Sequence, residues 1–532
     1  MDPNRYLKTA LRPPAGTALG RILRNSAINA AGVGSTMLLN FAAIFILARR
    51  LGTERVGIYF LIFTIAVVVH FVFETGVGTV VTRRIAQSPR DLRKHVREAM
   101  GLLLIISLLS FLTLVAIGAI WSIWANKPIM VTAFLLAGIG CAGRQVQEFC
   151  AGVFRGLENF TYENIARVGQ VGIFAVCVYI FVRRGTGIWV AIALFAISNL
   201  IAAVWMLGVM HWRYRCLGLR MNRAILRDWC SESLPLGFGD LVRRLTWQID
   251  TILLGFMATP AAVGIYSIAY RPLQPLQLLP RMVLSVTFPA FSRLAGDNRD
   301  ALRKAFARSV RLLWIISLPI TICICVYAEP LITIPAGDEY LPAANLLRVL
   351  IWIACLTFLS AQFRFLFAAL SNQRIYTKMV LAVFAIELVL EAALIPLFGY
   401  YGACAGSLTG EIIFVIIGFA ACRKLDIAAF EWGAMFRVVP AAILLALGLW
   451  LVRDAWWPLL IVACGVGTAA YFVLCALFGA VQRDELARIR SMILGGGARR
   501  REGRAFAVLP AESLMPAAAV PHAAEAVARE AG

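Results

Sequence analysis

"VGIYFLIFTIAVVVHFVFETGVGTVVTRRIAQSPRDLRK" runs from Val56 to Lys94. Between Val56 and Val81 the only acid is Glu74 and the only base His70. An apolar stretch of that length crosses a hydrocarbon core about 30 Å thick as an α-helix. From Thr82 the chain turns basic and amphipathic. The opening tetrapeptide returns at Val263 to Tyr266, and "TRRIAQSPRDLRK" (Thr82 to Lys94) returns as "FSRLAGDNRDALRK" (Phe291 to Lys304). Each copy leaves an apolar span through Arg, then Ile or Leu, then Ala, and enters a segment holding Arg-Asp and Leu-Arg-Lys. Two linked matches at nearly the same offset mark an internal duplication.

The remainder of the 532 residues fits that frame. Hydrophobic residues make up 61% of the chain and charged residues only 15%, against roughly 25% charged in soluble proteins. Apolar runs at 26–48, 56–81, 98–124, 129–154, 163–182, 187–210, 232–257, 261–290, 309–328, 343–370, 378–398, 402–422, 434–452 and 456–479 give about fourteen expected membrane helices. Six spans separate the two copies, an even number, so both cross the bilayer in the same direction. The predicted fold is an all-α integral membrane protein with two six-helix lobes related by a parallel pseudo-two-fold repeat, plus two C-terminal helices. Residues 1–25 form a basic N-terminus, 26–210 the N-lobe, 211–231 a linker, 232–422 the C-lobe, 423–479 the last two spans, and 480–532 a polar, partly disordered tail.

The net charge of +22 is distributed unevenly. Loops on the N-terminal side carry roughly five times as many Lys and Arg as loops on the other side, which predicts cytoplasmic N- and C-termini. The basic excess answers to topology and anionic lipid rather than to nucleic acid. None of the twelve cysteines falls in a CxxC pair, and the four histidines are too scattered for a metal site. No metal or organic cofactor is expected.

"ILARRLGTERVGIYFLI", "FETGVGTVVTRRIA", "WQIDTILLGFMATPAAVGIYSIAYRPLQPLQLLP", "FPAFSRL" and "AGDEYLPAANLLRVL", in that order, resemble the polysaccharide flippase (Wzx-type) branch of the multidrug, oligosaccharidyl-lipid and polysaccharide exporter superfamily. The resemblance covers roughly residues 25 to 480. It implies a two-lobed transporter of the bacterial inner membrane that moves an undecaprenyl-diphosphate-linked sugar repeat unit to the periplasmic leaflet for a surface polysaccharide. It also implies a polymerase and a chain-length regulator as partners. Where the family often has Asp-Leu-Gly near the end of the second span, this chain has Glu74, Thr75 and Gly76.

Ionisable groups at bilayer depth are costly and normally face a bundle interior or a wet cavity. In the seventh span Asp240, Arg243, Arg244, Trp247, Asp250 and Thr251 recur at helical steps, as one stripe. In the eighth, Arg271 stands beside Pro272, Pro275 and Pro280, which should kink or break the helix between Tyr270 and Pro280; Arg281 follows. The fourth span adds Arg144 and Glu148, the fifth Glu163 and Arg167. Every intramembrane cation is Arg, whose planar fork matches phosphate oxygens. Arg243, Arg271, Arg244, Arg144 and Arg281 are therefore candidates for gripping a diphosphate, with Trp247 and Tyr270 placed for sugar stacking. The competing expectation is internal pairing: Arg144 with Glu148, Arg167 with Glu163, Arg244 with Asp240. Glu387 and Glu391 lie four apart in the eleventh span, with Glu411 in the twelfth. Two carboxylates on one face repel, so one holds a proton or both share a cation. Superfamily relatives place cation sites among the seventh, eleventh and twelfth helices. The resemblance thus nominates Asp250, Glu387, Glu391 and Glu411 for coupling to H+ or Na+; neutralisation of cavity arginines is the alternative.

Two other functions compete. A membrane glycosyltransferase or polymerase needs an acid or His in a sizeable outer loop, but the longest, "AEPLITIPAGDEYLPA", offers only Glu329, Asp338 and Glu339. A cation-coupled multidrug exporter of the same fold would want a site of acids and aromatics.

Overall fold

The computed structural model describes residues 18–480 apart from 75, 127–128, 247 and 428–431. Within that range the side chains of several further residues, Asp240, Arg243 and Arg281 among them, lie outside the description.

Apolar composition with few internal breakers leaves each segment one way to satisfy its backbone in lipid, and the described residues are accordingly helical almost throughout. The first half comprises α1 (Ala18–Glu74), α2 (Val77–Gln87), α3 (Leu92–Ala125), α4 (Ile129–Gly156), α5 (Phe160–Phe181) and α6 (Ile188–Tyr214). Helix α1 is two arms joined at Gly52, whose φ of 79° and ψ of 173° interrupt the helix. Only glycine adopts that backbone without cost. The second half comprises α7 (Arg223–Thr246), α8 (Ile249–Met257), α9 (Pro260–Tyr270), α10 (Leu273–Leu276), α11 (Leu278–Asp297), α12 (Arg299–Val326), α13 (Ala328–Ala336), α14 (Leu341–Ala369), α15 (Gln373–Phe398) and α16 (Tyr400–Lys424). The chain continues into α17 (Trp432–Leu451) and α18 (Trp457–Leu477), which share a buried cluster with α12 through Ile315, Val438, Leu445 and Tyr471.

Among the described residues, ten stretches are long and apolar enough to cross a membrane, the first holding both arms of α1. The remaining expected spans are broken or shorter. The eighth divides after Tyr270 as its prolines require, into α9, α10 and α11. The seventh, expected as one helix over 232–257, is instead α7 and α8, with a turn at Gln248 before α8. The stripe expected along it therefore does not lie on one continuous helix. The expectations for 1–17 and for the tail from 481 fall outside the described residues.

Both copies of the basic segment take the same shape. Helix α2 ends at the non-helical residue Ser88 and α11 at the extended residue Asn298, and helical structure resumes after each. Asn298 caps α12 by accepting from the Ala301 amide at 2.9 Å. Leu92 and Leu302, which occupy matching places after these breaks, are both fully buried.

The two "VGIY" copies meet each other. A methyl group built at Gly57 would stand 1.6 Å from the carbonyl oxygen of Pro260, and one at Gly264 would stand 2.2 Å from that of Thr53. The backbone nitrogen of each glycine lies about 3 Å from the methyl position of the other. Glycine at both positions is what allows the second arm of α1 and α9 to cross backbone to backbone. The duplicated motif thus forms a contact between the halves, self-complementary about the pseudo-axis. It lies at the end of the bundle opposite the N-terminal residues of α1.

Beside it, Glu339 accepts from the Thr53 amide and hydroxyl, both at 3.1 Å. The loop weighed for catalysis therefore serves the architecture, with Ala328–Ala336 forming α13 and Glu339 fastening the bend of α1. At the opposite end the root of α7 is fixed to the first half. Arg84 reaches Asp228 at 2.8 Å and also pairs with Glu232, while its guanidinium lies 4.2 Å from the fully buried Trp229 ring. Remote from these contacts, Leu38, Ile123, Val204, Val389 and Leu447 are more than half exposed. Apolar surface of that kind, on the outside of long apolar helices, is matched to lipid.

Candidate functional site

Two cavities open inside the bundle, one in each half. The first, about 410 Å³, lies among α1, α4, α5 and α6 and is lined by Tyr59, Arg144, Gln147, Arg167 and Gln170, together with Arg271 from the second half. The break after α9 explains that visitor. Tyr270 ends the helix, the chain turns through Arg271 and Pro272, and the guanidinium is carried across the interface. There it lies 4.5 Å from the Phe60 ring and donates to Gln274 Oε1 at 3.2 Å, while its buried Nε has no acceptor. No carboxylate lies within ion-pair distance of Arg271 among the described residues.

Sequence spacing misassigned the partners in this cavity. Glu148 does not pair with Arg144; it bonds to Arg155, seven residues on, at 2.9 Å. Arg155 also bonds to Glu163 at 2.8 and 3.0 Å, and Arg167 bonds to Glu163 at 2.5 Å as expected. Arg155 and Arg167 thus absorb both acids, and Arg144 has no ion-pair partner among the described residues. The described contacts of Arg244 are with the first half. It lies over the Phe71 ring at 4.3 Å and reaches Glu74 at 3.8 Å, joining the halves; the side chain of Asp240 is outside the description. Glu74, set aside in the sequence as a family departure, is 3.3 Å from His70. Its spacing four residues after His70 on an apolar helix was the available signal; Arg155, two helical turns after Glu148, carried a similar one. Of the other candidates, the side chains of Arg243 and Arg281 and the whole of Trp247 lie outside the description.

The second cavity, about 460 Å³, is lined by Asp250, Tyr270, Gln277, Arg364, Glu387 and Glu411, among others. Helices α8, α15 and α16 bring all four nominated carboxylates together. Tyr266 donates to Asp250 Oδ2 at 2.5 Å, and Ser407 lies between Asp250 Oδ2 at 3.0 Å and Glu391 Oε1 at 3.1 Å. Ser360 donates to Glu411 Oε1 at 2.5 Å. Glu391 is fully buried, and its Oε2 has no partner. Small residues make this possible: methyl groups at Gly406 and Gly410 would occupy the places of the Glu391 and Glu387 side chains. Tyr270 faces this cavity rather than the arginines, its ring 6.1 Å from that of Tyr266. Arg348 reaches Glu329 at 3.6 Å, away from either cavity. No three His, Cys, Asp or Glu side chains gather closely enough for a multidentate metal site among the described residues.

The two tyrosines of the duplicated motif therefore serve different cavities. Tyr59 lines the arginine cavity; Tyr266 binds the carboxylates. Each tyrosine lies just beyond the glycine contact between the halves.

Known proteins resemble this chain in sequence and fold. The polysaccharide biosynthesis protein family matches residues 22–295, and MatE matches residues 235–397. The teichuronic acid biosynthesis protein TuaB of Bacillus subtilis (strain 168) is 32% identical over 111 residues, 21% of this chain and 23% of the relative. "Probable flippase AglR" of Haloferax volcanii is 24% identical over 198 residues, 35% of this chain and 40% of the relative. The chain thus spans less than half the length of the curated relatives it matches. Among solved structures, "Lipid II flippase MurJ, inward closed conformation" superposes with a TM-score of 0.71 at 12% identity, covering 86% of this chain and 99% of that one. An inward-facing multidrug resistance MATE family transporter superposes at 0.59 with 19% identity, covering 74% and 94%. These likenesses establish a shared all-helical fold.

Proposed function

The chain belongs to the polysaccharide biosynthesis protein family, and from that premise we propose that it is a flippase for lipid-linked oligosaccharide, of the undecaprenyl-diphosphate class, working by alternating access between its halves. The observation that carries the reading is Arg271, supplied by the second half to a cavity in the first, beside Arg144, and neither makes an ion pair among the described residues. With the cavity's Glu148 and Glu163 engaged by Arg155 and Arg167, these two permanently charged forks create a site that an anion of phosphate type fills with charge-assisted hydrogen bonds. Because the halves share this site, a ligand held by both Arg144 and Arg271 responds to, and biases, their relative position. Gln147 and Gln170 add neutral donors and acceptors for sugar hydroxyls. Asp250, Glu387, Glu391 and Glu411 are the proposed coupling group, with Ser407 and Tyr266 relaying protonation or cation occupancy to the helix that bears Arg271. On the charge asymmetry, cargo enters from the basic, N-terminal side, taken as cytoplasmic, and leaves towards the periplasm.

The test is transport by the full chain in proteoliposomes loaded with an undecaprenyl-diphosphate oligosaccharide. Arg144→Ala and Arg271→Ala should each depress translocation while the protein stays folded. Full activity in both variants overturns the assignment. Collapsing proton and sodium gradients without effect would remove coupling and leave the flippase intact.

One observation favours a second reading. The second cavity, with its carboxylates and the rings of Tyr270, Phe365, Tyr376 and Phe414, has the lining expected for a lipophilic cation. Export of tetraphenylphosphonium abolished by Glu387→Gln, with no oligosaccharide movement, would establish that alternative.

A further inference from the structure

We propose that the protein carries a second phosphate-recognising site, outside both cavities, which holds the headgroup of an anionic lipid in the leaflet opposite the N-terminus. A cleft of about 680 Å³ lies between the last turn of the first arm of α1 and the end of α5, lined by Arg49, Arg50, Tyr179, Ile180, Arg183 and Arg184. It stands on the face that the charge asymmetry leaves poor in cations, which makes four arginines in one cleft unexpected there. Topology accounts for the basic face of this chain; it does not account for these.

The arginines are not serving carboxylates. Arg50 donates to the carbonyls of Val178, Tyr179 and Val182, at the C-terminal turn of α5, and sits 5.0 Å from the Tyr179 ring. That arrangement satisfies orphan carbonyls and fixes the guanidinium in place. Arg49 donates to the Ile334 carbonyl at 3.2 Å. Arg183 and Arg184 are exposed, and neither side chain has a hydrogen-bond or ion-pair partner among the described residues. No acid lines the cleft among the described residues. Two arginines are therefore positioned by backbone, and two stand free beside them.

The border of the cleft selects a lipid over a free anion. Tyr179, Ile180 and Phe181 are 62%, 52% and 58% exposed, on a membrane-length apolar helix. A ligand with a phosphate head and acyl or isoprenoid tail would place its charge among the guanidinium groups and its chain along that face. Clusters of arginine at the end of membrane helices recognise headgroups in this way. The cleft also lies at the far end of the first arm of α1 and of α5, the same two helices that line the arginine cavity. The proposal does not depend on what that cavity carries, and its test reads binding rather than transport.

The full chain in neutral detergent is titrated with dioleoylphosphatidylglycerol, undecaprenyl phosphate, dioleoylphosphatidylcholine and inorganic phosphate, and bound lipid is counted by native mass spectrometry. An anionic lipid should bind at least about tenfold more tightly than the zwitterionic one, and Arg183→Gln with Arg184→Gln should remove that preference. Whichever of the two anionic lipids binds more tightly names the occupant. The pair Arg183→Lys with Arg184→Lys controls for folding and should retain part of the preference. Equal binding by wild type and the glutamine pair, no preference over phosphatidylcholine, capture of inorganic phosphate alone, or equal loss in the lysine and glutamine pairs would each overturn the site.

Discussion

Replacing Gly264 by alanine tests whether the contact between the duplicated motifs closes one face of the protein. The new methyl would lie 2.2 Å from the Thr53 carbonyl oxygen, and at Gly57 it would lie 1.6 Å from that of Pro260. Ordinary contact is 3.4 Å or more, so the helices must separate by an ångström or more at this crossing. Both obstructing atoms are backbone, so no side-chain rotation relieves the clash. Overpacking of this kind costs about 1–3 kcal/mol. Because the strain exists only where the halves touch, it should be felt by the closed arrangement and not by one in which this face is open. The equilibrium between them should then shift roughly 5- to 150-fold towards opening. Hydrogen exchange on the full chain in detergent provides the assay. Peptides covering residues 53–60 and 260–267 should exchange faster in Gly57→Ala and Gly264→Ala, while peptides within α4 and α14 should stay protected. If both variants fold and protect residues 53–60 like wild type, the two glycines are not a closing contact and the reasoning from their packing fails.

Further expectations concern the two cavities and the α7 root. Arg271→Ala should reduce translocation by at least about tenfold, since a charge-assisted hydrogen bond contributes about 1.5–3 kcal/mol, with Arg271→Lys intermediate; proteoliposome transport measures both. Ser407→Ala disconnects Asp250 from Glu391 and should change the pH or cation dependence of transport more than its maximal rate; an unaltered profile would remove Ser407 from the coupling group. Glu339→Ala removes the acceptor of the solvent-accessible Thr53 amide and hydroxyl and should lower stability by about 0.5–1.5 kcal/mol, read as a fall in the thermal midpoint. Arg84→Ala should release Trp229 and the root of α7, seen as increased proteolysis between residues 215 and 232.

Much of the architecture was legible because membrane physics leaves few options. Length and apolarity of the runs gave the helices, and the prolines after Tyr270 gave the break in the eighth span. The break in the seventh was hidden, since Thr246 to Ile249 contains neither proline nor glycine. The gathering of Asp250, Glu387, Glu391 and Glu411 came from a family resemblance and from their common depth. Ion pairs fared worse. Spacing by four residues found Arg167 with Glu163 but proposed Arg144 with Glu148, where Arg155 reaches back two turns and takes both acids. Spacing along one helix cannot rank partners arriving from another, which is also why Arg244 with Glu74 went unseen. The glycines of "VGIY" were understood as packing residues, yet that each packs against the other required three dimensions.

The seventh span has its two ends in different halves. Its root is fastened to the first half by Arg84, through Glu232, Asp228 and Trp229. Beyond the turn at Gln248, α8 packs chiefly against α9, α15 and α16 of the second half. A rigid rod so anchored would lock the halves together; a rod jointed in the middle works as a crank. Any swing of one half about the other is then concentrated at the turn of Gln248, two residues before Asp250, so the same bend that lets the molecule move also turns the carboxylate end of the lever.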